Sequence, residues 1–247
     1  MRLSTILCAV AAVVFSSTVP VEAQENTWET SFVFYLWAAE TDTAVSTPLG
    51  TIETTLPFSD AWENLDFAFM GVFEARRNRW SLIGDFAQTN LSVSNASPGP
   101  VFGGIDADIK LQVLNGYAMY RVSQNSTLSL DIGAGARWFN TDTTLTLTPG
   151  TAPGRSAAFD NGWIDPVLAA RVTVQLSDRW VGAAFIDYGG FRGNSESHQA
   201  ALTAQYWIND SLSVLVGYRL LDLSHSESGD AFDFKQSGPV FGARYRF

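Results

Sequence analysis

Two sets of residues in this chain are suited to chemistry. The first is a series of charged side chains recurring at alternate positions within otherwise apolar segments. Glu74, Asp85, Asp108, Lys110, Asp131 and Arg137 belong to it, as do Asp165, Arg171, Asp187, Arg219 and Arg244; Asp66, Asp106 and Arg246 stand beside them. Charges of both signs gathered on one enclosed surface pair with each other, because an unpaired buried charge is costly. Such a surface either fills a narrow lumen with salt bridges or lines the constriction of a small polar pore. The second set surrounds His225 in Leu223-Ser-His-Ser-Glu-Ser228. Histidine, serine and a carboxylate are the residue types of hydrolysis. Packed side by side in a serine-rich stretch, they are also what a solvated loop contains, and 224–231 reads as an external loop. His198, the other histidine, falls at the start of a strand.

Other chemistries find little support. The single cysteine, Cys8, lies in an N-terminal leader, so the mature chain has no thiol for disulfides or metal ligation. No zinc-ligand spacing occurs. Gly103-Gly104 and Gly133-Ala-Gly135 lack the strand–loop–helix setting of a phosphate loop. No cofactor is expected. With 25 Asp and Glu against 15 Lys and Arg, the chain is acidic, which argues against nucleic acid as a partner.

The elements that position the charges are strands. Period-two alternation marks ten of them: near 28–40, 65–75, from 80, 105–121, 127–141, 163–176, 180–189, 198–208, 211–223 and from 232. Short connections at 76–79, 123–126, 177–179 and 209–211 alternate with longer ones near 41–64, 92–104, 142–162, 190–197 and 224–231. Within 41–64, a hairpin reaching beyond the membrane and a short helix near 59–64 are expected, with Ser59 as its cap. The apolar faces include Phe32, Phe34 and Leu36 early in the chain and Phe241, Ala243 and Tyr245 at its end. In the fourth strand, Ile105, Ala107, Ile109, Leu111 and Val113 are placed on the apolar face, opposite Asp106, Asp108, Lys110 and Gln112. Trp28, Trp80, Trp138 and Trp180 sit near strand ends, as in the aromatic belts of membrane proteins.

Arg2, the apolar run Leu7–Phe15 and the small residues before Gln24 form a signal peptide over residues 1–23. The expected fold is therefore all-β: an antiparallel transmembrane β-barrel over 24–247, of about ten strands (range 8–12). In hydrocarbon every backbone donor and acceptor needs a partner, so the sheet must close.

Trp28–Ala39, Phe58–Arg76, Trp163–Asp165, Asp187–Phe191, Gly217–Asp222 and Gly238–Phe247 carry a resemblance spanning nearly the whole mature chain. They resemble a proteobacterial family of uncharacterised, porin-like outer-membrane β-barrel proteins. The resemblance implies outer-membrane location and contact with its lipids. It brings no catalytic or ligand-binding residues. The C-terminus also resembles the signal read by the barrel-assembly machinery: Phe247 is the terminal aromatic, Tyr245 the hydrophobic residue two before it, and Gly242 the glycine five before. Val240 departs from that pattern. The expected function is a narrow, non-specific channel or a structural envelope component, without a chemical step. The alternatives are a closed barrel that binds partners through external loops and a membrane-embedded lipid hydrolase.

Overall fold

The computed structural model describes residues 27–47, 50–96, 101–191, 193–227 and 230–247; the leader assigned to 1–23 lies outside them. Its elements in order are β1 (Glu29–Trp37), β2 (Glu40–Thr47), β3 (Gly50–Leu56), α1 (Phe58–Glu63), β4 (Leu65–Arg77), β5 (Trp80–Ala96) and β6 (Phe102–Gln124). There follow β7 (Leu128–Pro149), β8 (Arg155–Gln175), β9 (Trp180–Gly189), β10 (Ser195–Trp207), β11 (Leu212–Glu227) and β12 (Asp230–Arg246).

Ten of these strands, β1 and β4 to β12, pair antiparallel in sequence order, and β12 returns to β1. The closing register runs from Ser31 opposite Arg246 to Trp37 opposite Val240. Closure leaves no lower sheet edge, which is what hydrocarbon demands. The β2–β3 hairpin continues upward along the same flank, with Glu40–Ser46 paired to Ser237–Ala231. It stands beyond the barrel proper, as the sequence suggests. Helix α1 follows it, with Asp60 in its first turn. Ser59 does not cap it: Pro57 occupies the N-cap position, and the Ser59 hydroxyl donates to Asp60 instead.

The short turns are built by side chains that imitate backbone. Asn125 Oδ1 accepts from the amides of Thr127 and Leu128, and Asn209 Oδ1 from those of Ser211 and Leu212. At the β4–β5 turn, Asn78 takes a left-handed φ of 55°, which asparagine tolerates. At the opposite end the connections are much shorter than the sequence suggests. Strands continue through most of 92–104 and 142–162, leaving 97–101 and 150–154 between them. The threonines of 143–148 favour β-structure despite their polarity, and they pair with β8 as far as Leu147 opposite Arg155. Strand β6 thus has 23 residues, about twice what a membrane crossing requires. Strand β9 has only 10, so β6, β7 and β8 rise as a sheet well above it.

Face assignment follows parity. Phe34, Phe73, Leu82, Ile132, Leu168 and Leu202 point outward and are exposed. This apolar band is closed below by aromatic pairs, Trp80 with Tyr120 and Trp180 with Tyr206, and by Trp28. Above, it gives way to a polar row in which Gln112 donates to Gln88 and Gln88 to Asn90. An outside that is apolar and an inside that is charged is the inversion a membrane-spanning barrel requires.

Strand β6 corrects the sequence reading. Val113, Tyr117 and Met119 are buried in the lumen, while Leu114 is exposed on the other face. The odd-numbered positions are therefore inside, and Asp106, Asp108 and Lys110 lie outside. Lys110 meets Asp142 at 3.8 Å on the outer surface, and Asp108 accepts from Ser92. Asp66, also placed inside by alternation, is exposed and shares that same serine at an irregularity in the β4–β5 register. These positions stand above the apolar band, where the outer face meets water and charge is no longer penalised.

Candidate functional site

The stagger of the strands gathers the inward charges into two stacked layers. The upper one is balanced. Arg219 Nη2 donates to Asp85 Oδ2 at 2.7 Å and to Gln199 at 2.6 Å, and its Nη1 donates to the Tyr35 hydroxyl at 2.7 Å. Tyr35 in turn donates to Asp85 Oδ1 at 2.7 Å. Across the lumen, Arg137 Nη2 reaches both oxygens of Asp187 at 2.8 and 2.7 Å, and Tyr117 donates to the same carboxylate at 2.6 Å. Asn115 joins the halves: it accepts from Arg137 Nε at 2.7 Å and donates to Asp85 at 3.3 Å. Seven strands contribute, with two guanidiniums set against two carboxylates.

This layer is dry. Arg137 is 1% exposed and Asn115 0%. Directly above lies an aromatic block in which Phe139 packs on Trp163 at 4.6 Å and on Phe234 at 5.3 Å. Arg219 also lies over the Trp37 ring at 4.8 Å. Beside Arg137 on the same face, Gly135 lets β7 approach β6 closely; a Cβ there would collide with the Gly116 carbonyl oxygen. Together the polar layer and the aromatic block fill the lumen at this height.

The lower layer is unbalanced. Arg171 donates to both Glu74 oxygens at 3.2 and 2.9 Å and to Asp131 at 2.8 Å. Arg121 Nε reaches Asp131 at 2.8 Å, and Arg76 reaches Glu74 at 3.1 Å. Arg244 approaches Glu74 only to 3.8 Å. Four guanidiniums thus share two carboxylates. Around them a cavity of about 810 Å³ runs from the end bearing the short turns up to the underside of the upper layer at Tyr35, Asp85 and Tyr117.

A third cluster lies higher. Asp165 accepts from the Ser195 hydroxyl at 2.7 and 2.8 Å and from the Trp163 indole at 3.0 Å. His225 is not in a loop. It is on β11, opposite Ser195 in register, and its ring stacks on Trp163 at 4.6 Å. Serine, histidine and aspartate do converge here. The serine hydroxyl donates to the carboxylate, and the histidine ring lies against Trp163. His198 points outward and meets Asp222 at 3.6 Å.

Of the eleven charged residues singled out from the sequence, nine are inside and assembled as above, while Asp108 and Lys110 are outside. Residues that complete the layers and escaped notice include Tyr35, Asn115, Tyr117 and Gln199, with Arg76 and Arg121 below. Arg76 had been assigned to a turn. Each shares parity with an inward charge on its own strand or a paired one, which was the available signal. Among the assembly residues, Gly242 pairs with Tyr35, Tyr245 packs against Phe247 at 5.2 Å, and the Phe247 amide donates to Thr30. Val240 is buried in the lumen, where a polar residue is not needed. Among the described residues no cluster of His, Cys, Asp and Glu is arranged to hold a metal.

No protein-family model and no curated protein sequence matches the chain. Among solved structures it is similar to the outer-membrane protease OmpT from Escherichia coli, with TM-score 0.53 and 10% identity, covering 90% of this chain and 98% of that one. It also matches the translocator domain of the autotransporter NalP from Neisseria meningitidis, with TM-score 0.43, 15% identity and 90% of each chain covered. A third match is Ail, the attachment invasion locus protein of Yersinia pestis, with TM-score 0.39, 15% identity, and 89% and 98% covered. At these identities the likeness to OmpT concerns the fold: a closed ten-stranded barrel of the outer-membrane type.

Proposed function

We propose that this protein is an outer-membrane barrel that does not conduct freely and acts by binding partners on the raised β6–β7–β8 sheet. The lumen filled by side chains carries the reading. A water-filled path past the balanced layer would expose Arg137 and Asn115, and both are buried. The raised sheet supports it further, since strands of 21 to 23 residues hold a surface far beyond the lipid. The reading assigns no cofactor and no chemical step. Residues 1–23 direct export, and Gly242, Tyr245 and Phe247 present the terminal strand to the assembly machinery. Deleting Phe247 should lower the folded fraction in outer membranes, seen as loss of the heat-modifiable gel band; an unchanged band refutes that assignment.

A porin-like channel is the second reading, favoured by a cavity that already reaches mid-barrel. Planar-bilayer recording of the refolded, gel-verified protein separates the two. Silence is expected. Reproducible conductance steps would replace the closed-barrel reading with the channel.

A further inference from the structure

The lower cavity carries charge of the wrong sign for its protein. The chain has a net charge of −10, yet among the described residues six arginines and three carboxylates line this space. Asp131 backs the wall and accepts from Arg121 and Arg171, which leaves a surplus of two positive charges among the described residues. The surplus is localised on β12. Arg244 makes only the 3.8 Å approach to Glu74, and its buried Nε has no hydrogen-bond partner among the described residues. Arg246 lies over the Trp207 ring at 4.2 Å, with no carboxylate in ion-pair reach among the described residues.

We propose that this cavity is a binding site for a small phosphate monoester with a hydroxyl-rich body, entering from the periplasmic end. Guanidinium forks match the oxygens of a phosphate, and a partly enclosed site strengthens such charge-assisted hydrogen bonds. A volume of about 810 Å³ lies within the range of small-molecule sites. Thr173 on β8 and Thr203 on β10 supply neutral donors and acceptors in the lining, and Trp207 lines the cavity with Arg246 over its ring. The mouth sits among the short turns, periplasmic in barrels of this kind, and inside the sheet. The ligand is therefore a free solute and not the headgroup of a surrounding lipid. The site lies below the upper layer, so the inference is independent of the external surface proposed above.

Calorimetry on the refolded protein in non-ionic detergent, with glucose 6-phosphate as probe and glucose as control, tests it. Glucose 6-phosphate should bind, more weakly as salt rises, and glucose should not. The double substitution Arg244→Gln/Arg246→Gln should weaken binding about tenfold or more. Because β12 also serves assembly, Thr203→Glu provides a second variant on β10; it places a carboxylate in the cavity and should weaken binding comparably. Folding of each is checked by heat-modifiable mobility. Absence of binding to folded wild-type protein, equal binding of glucose, or full affinity in both folded variants would overturn the proposal.

Discussion

The two charged layers of the lumen are made of the same residue types and sit one above the other, yet they are built differently. In the upper layer Arg137 and Arg219 each have their own carboxylate, and tyrosine, asparagine and glutamine add further hydrogen bonds, though Arg137 Nη1 has no hydrogen-bond partner among the described residues. In the lower layer Arg76, Arg121, Arg171 and Arg244 crowd Glu74 and Asp131 at distances from 2.8 to 3.8 Å. The difference tracks water at the guanidiniums: the side chains of Arg137 and Arg219 are 1% and 8% exposed, those of Arg76, Arg121, Arg171 and Arg244 between 13% and 26%. Where the aromatic block excludes solvent, a surplus charge would have nothing to screen it, so pairing is one to one. Where the cavity admits solvent, surplus cations are tolerated and become available to a ligand.

The largest effect should come from breaking the dry layer. Asp187→Ala removes the carboxylate from Arg137 and leaves a buried cation, at a cost of about 3–5 kcal/mol. Urea unfolding in lipid, followed by gel mobility, measures it. Glu74→Gln takes charge from the wet layer, where solvent takes over part of the lost interaction; the expected cost is about 2 kcal/mol. It should also tighten glucose 6-phosphate binding. If Glu74→Gln cost more than Asp187→Ala, the contrast between the layers would collapse. Lys110→Ala, on the outer surface above the lipid, should change stability by about 1 kcal/mol or less, because the 3.8 Å pair with Asp142 is solvated. A loss as large as that of Asp187→Ala would put Lys110 back in the lumen.

Much of this was readable beforehand where one strand carries unambiguous alternation. In β8, Asp165 and Arg171 alternate with Leu168, Ala170 and Val172, and the inward face was assigned correctly. Strand β6 failed because both its faces mix polarity: Ile105, Ala107 and Ile109 look like lipid contacts, but that part of the strand stands above the lipid. His225 was misplaced for a related reason. Serine and histidine resemble loop composition, and nothing local reveals that β11 continues to Glu227, opposite Asp230 of β12. Trp163 was legible as an aromatic residue at a strand start, but its stacking on His225, 62 positions later, was not.

The sequence by itself determined that this chain forms a closed antiparallel barrel of about ten strands, in a range of eight to twelve, with an apolar outside and a charged inside. Alternation with period two and the spacing of turns are local properties, written residue by residue. Only the tertiary structure decided which face of β6 turns inward, which arginine meets which carboxylate, and which side chains fill the lumen. Those outcomes depend on the stagger between strands and on closure of β12 against β1. Tyr35 and Arg219, 184 positions apart, meet only once that closure is made.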